Sequence, residues 1–287
     1  MKLRKLMFVL PNLFTCTSIF CGFYALTLCA GDATPAQLYQ ASIAIIFAMF
    51  FDGFDGRVAR LTKTQSQFGV ELDSLADVVS FGVVPAMLVY KWALSALGFV
   101  GIFIAFAFAA CGALRLARFN VLAQRPHPGG MRYFVGLPIP LAAGVVVSMV
   151  IAHHVGQGGA LPASADGPVA GLVVALSLLM VSTVRYRTFK DLRLSPRSAT
   201  VFMLFCAAGV VISIKLHPAF VPAVFFSVYL VIGLVESAVM LARKVATAGA
   251  GAAAGAGGAV EREEEDELAE DEEEEDSGED VDEQDYL

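Results

Sequence analysis

Asp52-Gly53-Phe54-Asp55-Gly56-Arg57-Val58-Ala59-Arg60 is followed, after eight residues, by Gly69-Val70-Glu71-Leu72-Asp73-Ser74-Leu75-Ala76-Asp77. Outside an acidic C-terminal run the chain holds nine carboxylates, and five lie in this window. The flanking sequence is apolar, and carboxylates close to hydrocarbon are costly, so such a cluster marks a functional site. Asp52 and Asp55 are three apart, and Asp73 and Asp77 are four apart. On helices each pair shares a face and can aim at one point. Four carboxylates that close repel one another unless a cation holds them. All-oxygen donors, with no Cys or His in the window, suit Mg²⁺ or Mn²⁺ rather than zinc. Two ions fit the number of carboxylates, a common arrangement for displacement at phosphorus. Gly56 and Gly69 let backbone or substrate approach closely. Arg60 supplies a cation for a phosphate.

Outward from this stretch the chain reads as an all-α, polytopic helical membrane protein. Of its 287 residues 57% are hydrophobic, and the mean hydropathy is +0.68, which excludes an ordinary soluble domain. Eight apolar segments can be drawn, at about 6–30, 38–56, 69–91, 95–116, 137–154, 168–184, 199–216 and 219–241, several of them near or below the ~20 residues of a perpendicular span. The first follows Met1-Lys2-Leu3-Arg4-Lys5 and continues to Ala30 without a small-residue cleavage site near its middle. It therefore reads as a span and not as a cleaved leader.

Charge sets the expected orientation. Eighteen of the 20 Lys and Arg residues fall on the side of the aspartate window, and only Lys91 and Lys215 fall on the other. The positive-inside rule then places both termini and the aspartates in the cytoplasm. The whole-chain net charge of −7 hides a division, because residues 261–287 carry 18 of the 27 acidic groups. The remainder has 19 basic and nine acidic groups, a net of +10, which suits anionic lipid or phosphate substrates. Residues 1–244 are expected to form the transmembrane catalytic domain. Residues 245–259, nearly all Ala and Gly, read as a flexible linker, and 260–287 as a disordered acidic tail. The five cysteines are scattered and form no CxxC pair, as expected of small buried residues. His153 and His154 fall on the side away from the aspartates. No nucleic-acid partner is expected, and a homodimer is compatible with the sequence.

The window has the pattern D-x2-D-G-x2-A-R-x8-G-x3-D-x3-D, as Asp52, Asp55, Gly56, Ala59, Arg60, Gly69, Asp73 and Asp77. In this it resembles the CDP-alcohol phosphotransferase family. Four flanking strings sharpen the resemblance, toward the bacterial and archaeal membrane-type phosphatidylserine synthases within that family. They are Leu10-Pro11-Asn12-Leu13-Phe14-Thr15, the run from Glu71 to Gly82, Arg115-Leu116-Ala117-Arg118-Phe119-Asn120, and Gly136-Leu137-Pro138. The resemblance implies a bacterial or archaeal cytoplasmic membrane enzyme that uses CDP-diacylglycerol and L-serine and releases CMP. It implies metal binding by Asp52, Asp55 and Asp73, with Asp77 as the base and a further metal contact. It also implies that Gly56, Ala59, Arg60, Gly69 and Asn12 accommodate the nucleotide lipid.

Arg115 and Arg118, three apart at the end of the fourth apolar segment, are expected to bind an anion beside the carboxylates. With Asn120 they are the candidates for the serine site. Competing readings are a family member using glycerol 3-phosphate or inositol phosphate, an intramembrane prenyltransferase, and a cation transporter. A transporter often carries internal repeats and a midplane site, and neither is visible here.

Overall fold

The computed structural model describes residues 2–123, 133–158, 166–183, 185–187, 220–228 and 231. Helix α1 spans Lys2–Cys29 and α2 spans Pro35–Leu61. Thr34 starts α2 through a capping box with Gln37, and Pro35 adds a preset φ at the first helical position. The two helices form one seam. Thr15 Oγ1 donates to Asp55 Oδ2, and one turn further along α1 Ser18 Oγ donates to the Ala48 carbonyl. The partner number falls as the α1 number rises, so the helices run antiparallel. Ala41, Ala44 and Ala48 are buried on α2, and small residues let helices approach closely where hydrocarbon supplies no net drive.

The chain turns after Leu61, with Lys63 at a positive φ of 54°, and Ser66 caps the next helix by accepting from Gly69 N–H. Helix α3 (Gln67–Asp77) does not end at Asp77. It runs through a π-helical turn (Val78–Val83) into α4 (Val84–Val89), then a second π turn (Tyr90–Leu94) and a short 3-10 turn (Ser95–Leu97). Pro85 offers no N–H, and its ring crowds the carbonyl four residues back. A wider turn just before it is one way to relieve that crowding. The first π turn crosses α1 closely: a Cβ on Gly22 would lie 2.7 Å from Ser80 Oγ, and that hydroxyl donates to the Ser18 carbonyl.

Helix α5 (Phe99–Ala123) returns toward the motif end, followed by α6 (Ile139–Gly156) and α7 (Asp166–Val181). The core lies between them, with Phe81, Phe108, Leu88, Ile139, Val146 and Leu176 buried. At the far end His154 stacks on Tyr39 and His153 meets Trp92 edge-on. Among the described residues four stretches are long and apolar enough to cross a membrane: Leu10–Cys29, Gln67–Leu97, Phe99–Leu122 and Ile139–Gly156. Phe20, Phe47, Phe103 and Phe106 point outward and are more than half exposed. Such a surface is costly in water and at home in lipid. The chain is a multi-pass helical membrane protein.

One expectation is untested, and two features of the structure differ from the sequence reading. The count of eight spans is not established, since 199–216 and most of 219–241 lie outside the described residues, as do the linker and tail. The third segment is longer than 69–91, because the rod persists from Gln67 to Leu97. A short antiparallel ribbon was not foreseen: β1 (Tyr133–Val135) pairs with β2 (Arg185–Arg187), Phe134 opposite Tyr186.

Candidate active site

Asp52 and Asp55 lie in the last turns of α2, and Asp73 and Asp77 on α3. Because α2 runs on to Leu61, Asp52, Asp55, Gly56, Ala59 and Arg60 share one helix. The turn at Thr62–Ser66 brings the second pair of aspartates back onto the first. One oxygen each from Asp52, Asp55 and Asp73 lies within 4.8 Å of the others. The four carboxyl groups also meet in pairs, Asp52 with Asp77 and Asp55 with Asp73. Asp52 Oδ1 and Asp77 Oδ1 are buried without a hydrogen-bond partner. Buried carboxylate oxygens without donors are the donor set a hard divalent cation takes, so the residues fit such an ion. Asp77 stands outside the three-carboxylate group.

The remaining candidate residues divide. Gly56 is exposed, and a Cβ there would meet no atom within 4 Å. Among the described residues, packing therefore gives no reason for glycine at this position. Arg60 is exposed on the same helix, and Ala59 is half-buried. A Cβ on Gly69 would sit 3.4 Å from Asn12 Oδ1, which brings Asn12 of α1 beside the start of α3.

At the end of α5 the structure separates Arg115 from Arg118. Arg115 is buried, with Asp77 as its acidic neighbour and its guanidinium 5.6 Å from the Phe119 ring centroid. Arg118 faces another way. Its Nη1 donates to the Val181 carbonyl at 2.9 Å and its Nη2 to that of Ser182 at 3.0 Å, so it caps the end of α7. Asn120 Nδ2 donates to Ser74 Oγ at 2.9 Å, tying α5 to α3 between the two aspartates. Of the three residues expected to hold serine, Arg115 is the one beside Asp77.

Two contributors were not singled out as site residues. Thr15 reaches Asp55 across 40 positions of sequence; its place in the Leu10–Thr15 string was the available signal. Ser74 had no signal beyond lying between Asp73 and Asp77.

The profile of the CDP-alcohol phosphatidyltransferase family matches residues 8–184. The chain belongs to that family. It is 35% identical over 230 residues to the CDP-diacylglycerol–serine O-phosphatidyltransferase of Helicobacter pylori, covering 80% of this chain and 91% of that protein. It is 33% identical over 183 residues to the Bacillus subtilis protein of the same name, covering 63% and 91%. To the archaetidylserine synthase of Methanothermobacter thermautotrophicus it is 35% identical over 179 residues, covering 62% and 69%. Relatives of these names come from bacteria, archaea and yeast.

Proposed function

We propose that this protein transfers the phosphatidyl group of CDP-diacylglycerol to the hydroxyl of L-serine, giving phosphatidylserine and CMP. The observation that carries the reaction type is the convergence of Asp52, Asp55 and Asp73 within 4.8 Å, at a fixed spacing from Gly56, Arg60 and Gly69. Support for serine comes from the names of relatives that match most of the chain.

Mg²⁺ or Mn²⁺, as one ion or a pair held by Asp52, Asp55 and Asp73, would supply positive charge against the diphosphate and the departing CMP. The rest of the chemistry belongs to the side chains. Gly56 and Ala59 leave room along α2 for the nucleotide, and Arg60 meets its phosphates. Asn12 stands at the adjoining edge, beside Gly69. Asp77 takes the proton of the serine hydroxyl as that oxygen bonds to the β-phosphorus and the bond to the bridging oxygen breaks. Arg115, next to Asp77, pairs with the serine carboxylate and turns the hydroxyl toward phosphorus. The basic residues at the motif end orient it toward the cytoplasm, where CTP-derived nucleotides are made.

The test is to incubate purified protein with CDP-diacylglycerol and a panel of alcohols and to follow CMP release. Serine is expected to drive release, with phosphatidylserine as the lipid product. Release driven instead by glycerol 3-phosphate or inositol phosphate would keep the family chemistry and overturn the acceptor.

A further inference from the structure

We infer that Thr15 is a positioning residue for the carboxylate site, holding Asp55 in the orientation that the cluster needs. The inference rests on the reading of Asp52, Asp55 and Asp73 as ligands of a divalent cation. Thr15 Oγ1 lies 2.7 Å from Asp55 Oδ2 and 3.3 Å from the Pro11 carbonyl. The hydroxyl has one proton, and the shorter contact goes to the ionisable acceptor, where a hydrogen bond is strongest. Thr15 is 3% exposed and Asp55 is 6% exposed, so water does not compete for either group. The second Asp55 oxygen, Oδ1, accepts from the Gly56 N–H. Each Asp55 oxygen thus has a donor, Thr15 from α1 on Oδ2 and the Gly56 N–H on Oδ1. Each keeps a lone pair for a cation.

The donor is on α1, which contributes none of the four aspartates. Its register is set independently, by Ser18 on the Ala48 carbonyl, by Ser80 on the Ser18 carbonyl and by the close crossing at Gly22. Thr15 is one turn from Ser18 on the same face, and the Ser80 bond to the Ser18 backbone carbonyl with the Gly22 crossing keeps that register without the Ser18 hydroxyl. Outer-shell donors to metal-binding carboxylates typically contribute about 10–100-fold in metal affinity or activity.

The experiment is a Mn²⁺ titration of the full-length purified protein, with free Mn²⁺ read by electron paramagnetic resonance. Wild type, Thr15→Val, Thr15→Ser, Thr15→Ala and Ser18→Ala are compared, with melting temperatures measured in parallel. Thr15→Val is expected to weaken Mn²⁺ binding about tenfold or more, and Thr15→Ser to stay within about threefold of wild type. Thr15→Ala removes the donor without introducing a second methyl, and is expected to match Thr15→Val should that variant fold poorly. Ser18→Ala breaks the same helix seam, so it is expected to lower the melting temperature and leave Mn²⁺ affinity in place. Wild-type affinity in both Thr15→Val and Thr15→Ala would overturn the inference. Equal loss in Ser18→Ala would also overturn it, reducing Thr15 to general packing. If wild type itself binds no Mn²⁺, the cation reading fails first and takes this inference with it.

Discussion

Two arginines three positions apart do different work, and their surroundings decide which. Arg115 is buried beside Asp77 and Phe119, whereas Arg118 spends two donors on the end of α7. Arg115→Ala is therefore expected to raise KM for serine about tenfold or more, the worth of one to two charge-assisted hydrogen bonds. KM for CDP-diacylglycerol is expected to move much less. Steady-state kinetics with each substrate varied in turn checks this. A rise confined to the nucleotide lipid would assign Arg115 to the diphosphate instead. For the carboxylates, Asp52→Asn and Asp73→Asn are each expected to cost about a thousandfold or more in kcat while the protein still inserts and folds, because the substitution keeps the shape and removes the charge. Activity within tenfold of wild type would remove these residues from the chemistry. The aspartates were legible in the sequence because i, i+3 and i, i+4 spacing speaks directly to a helix face. The division between Arg115 and Arg118 was not legible, since it depends on where α7 ends.

At the scale of elements, the site is made by two helices that run past their apolar cores and by a third that steadies them. The sequence located α2 and α3 through their hydrophobic runs. It could not locate the π turn after Asp77, because no local residue preference demands it. That turn lies just before Pro85 and packs against α1 where Gly22 crosses Ser80. The crossing gives its own test. At Gly22 any side chain would press its Cβ to 2.7 Å from Ser80 Oγ, and overpacking of this kind typically costs about 1–3 kcal/mol. Gly22→Val is expected to lower the thermal midpoint, measured in detergent by scanning fluorimetry, and an unchanged midpoint would mean that α1 and the π turn are not tightly packed. The ribbon of β1 and β2 escaped notice for a similar reason. Three residues a side are too few for an alternating pattern, and the pairing joins segments 50 positions apart.

Over the whole molecule, hydropathy and charge asymmetry made the membrane class plain from composition alone. The body outside residues 261–287 is basic and the tail is acidic, a contrast visible only when the chain is divided. The tail has too few apolar residues with which to build a core. Truncation after Lys244 is accordingly expected to leave kcat within a few-fold, measured on enzyme quantified in the membrane. An inactive truncated enzyme present at normal levels would give the tail a catalytic part.

The central claim is that the clustered carboxylates hold a divalent cation on which transfer depends. The most direct measurement is CMP release from CDP-diacylglycerol and L-serine by the purified protein, in excess chelator and then with Mg²⁺ or Mn²⁺ restored. Release is expected to stop under chelation, to return with either ion, and to stay absent in Asp73→Asn whatever ion is added. Full turnover in excess chelator would contradict it.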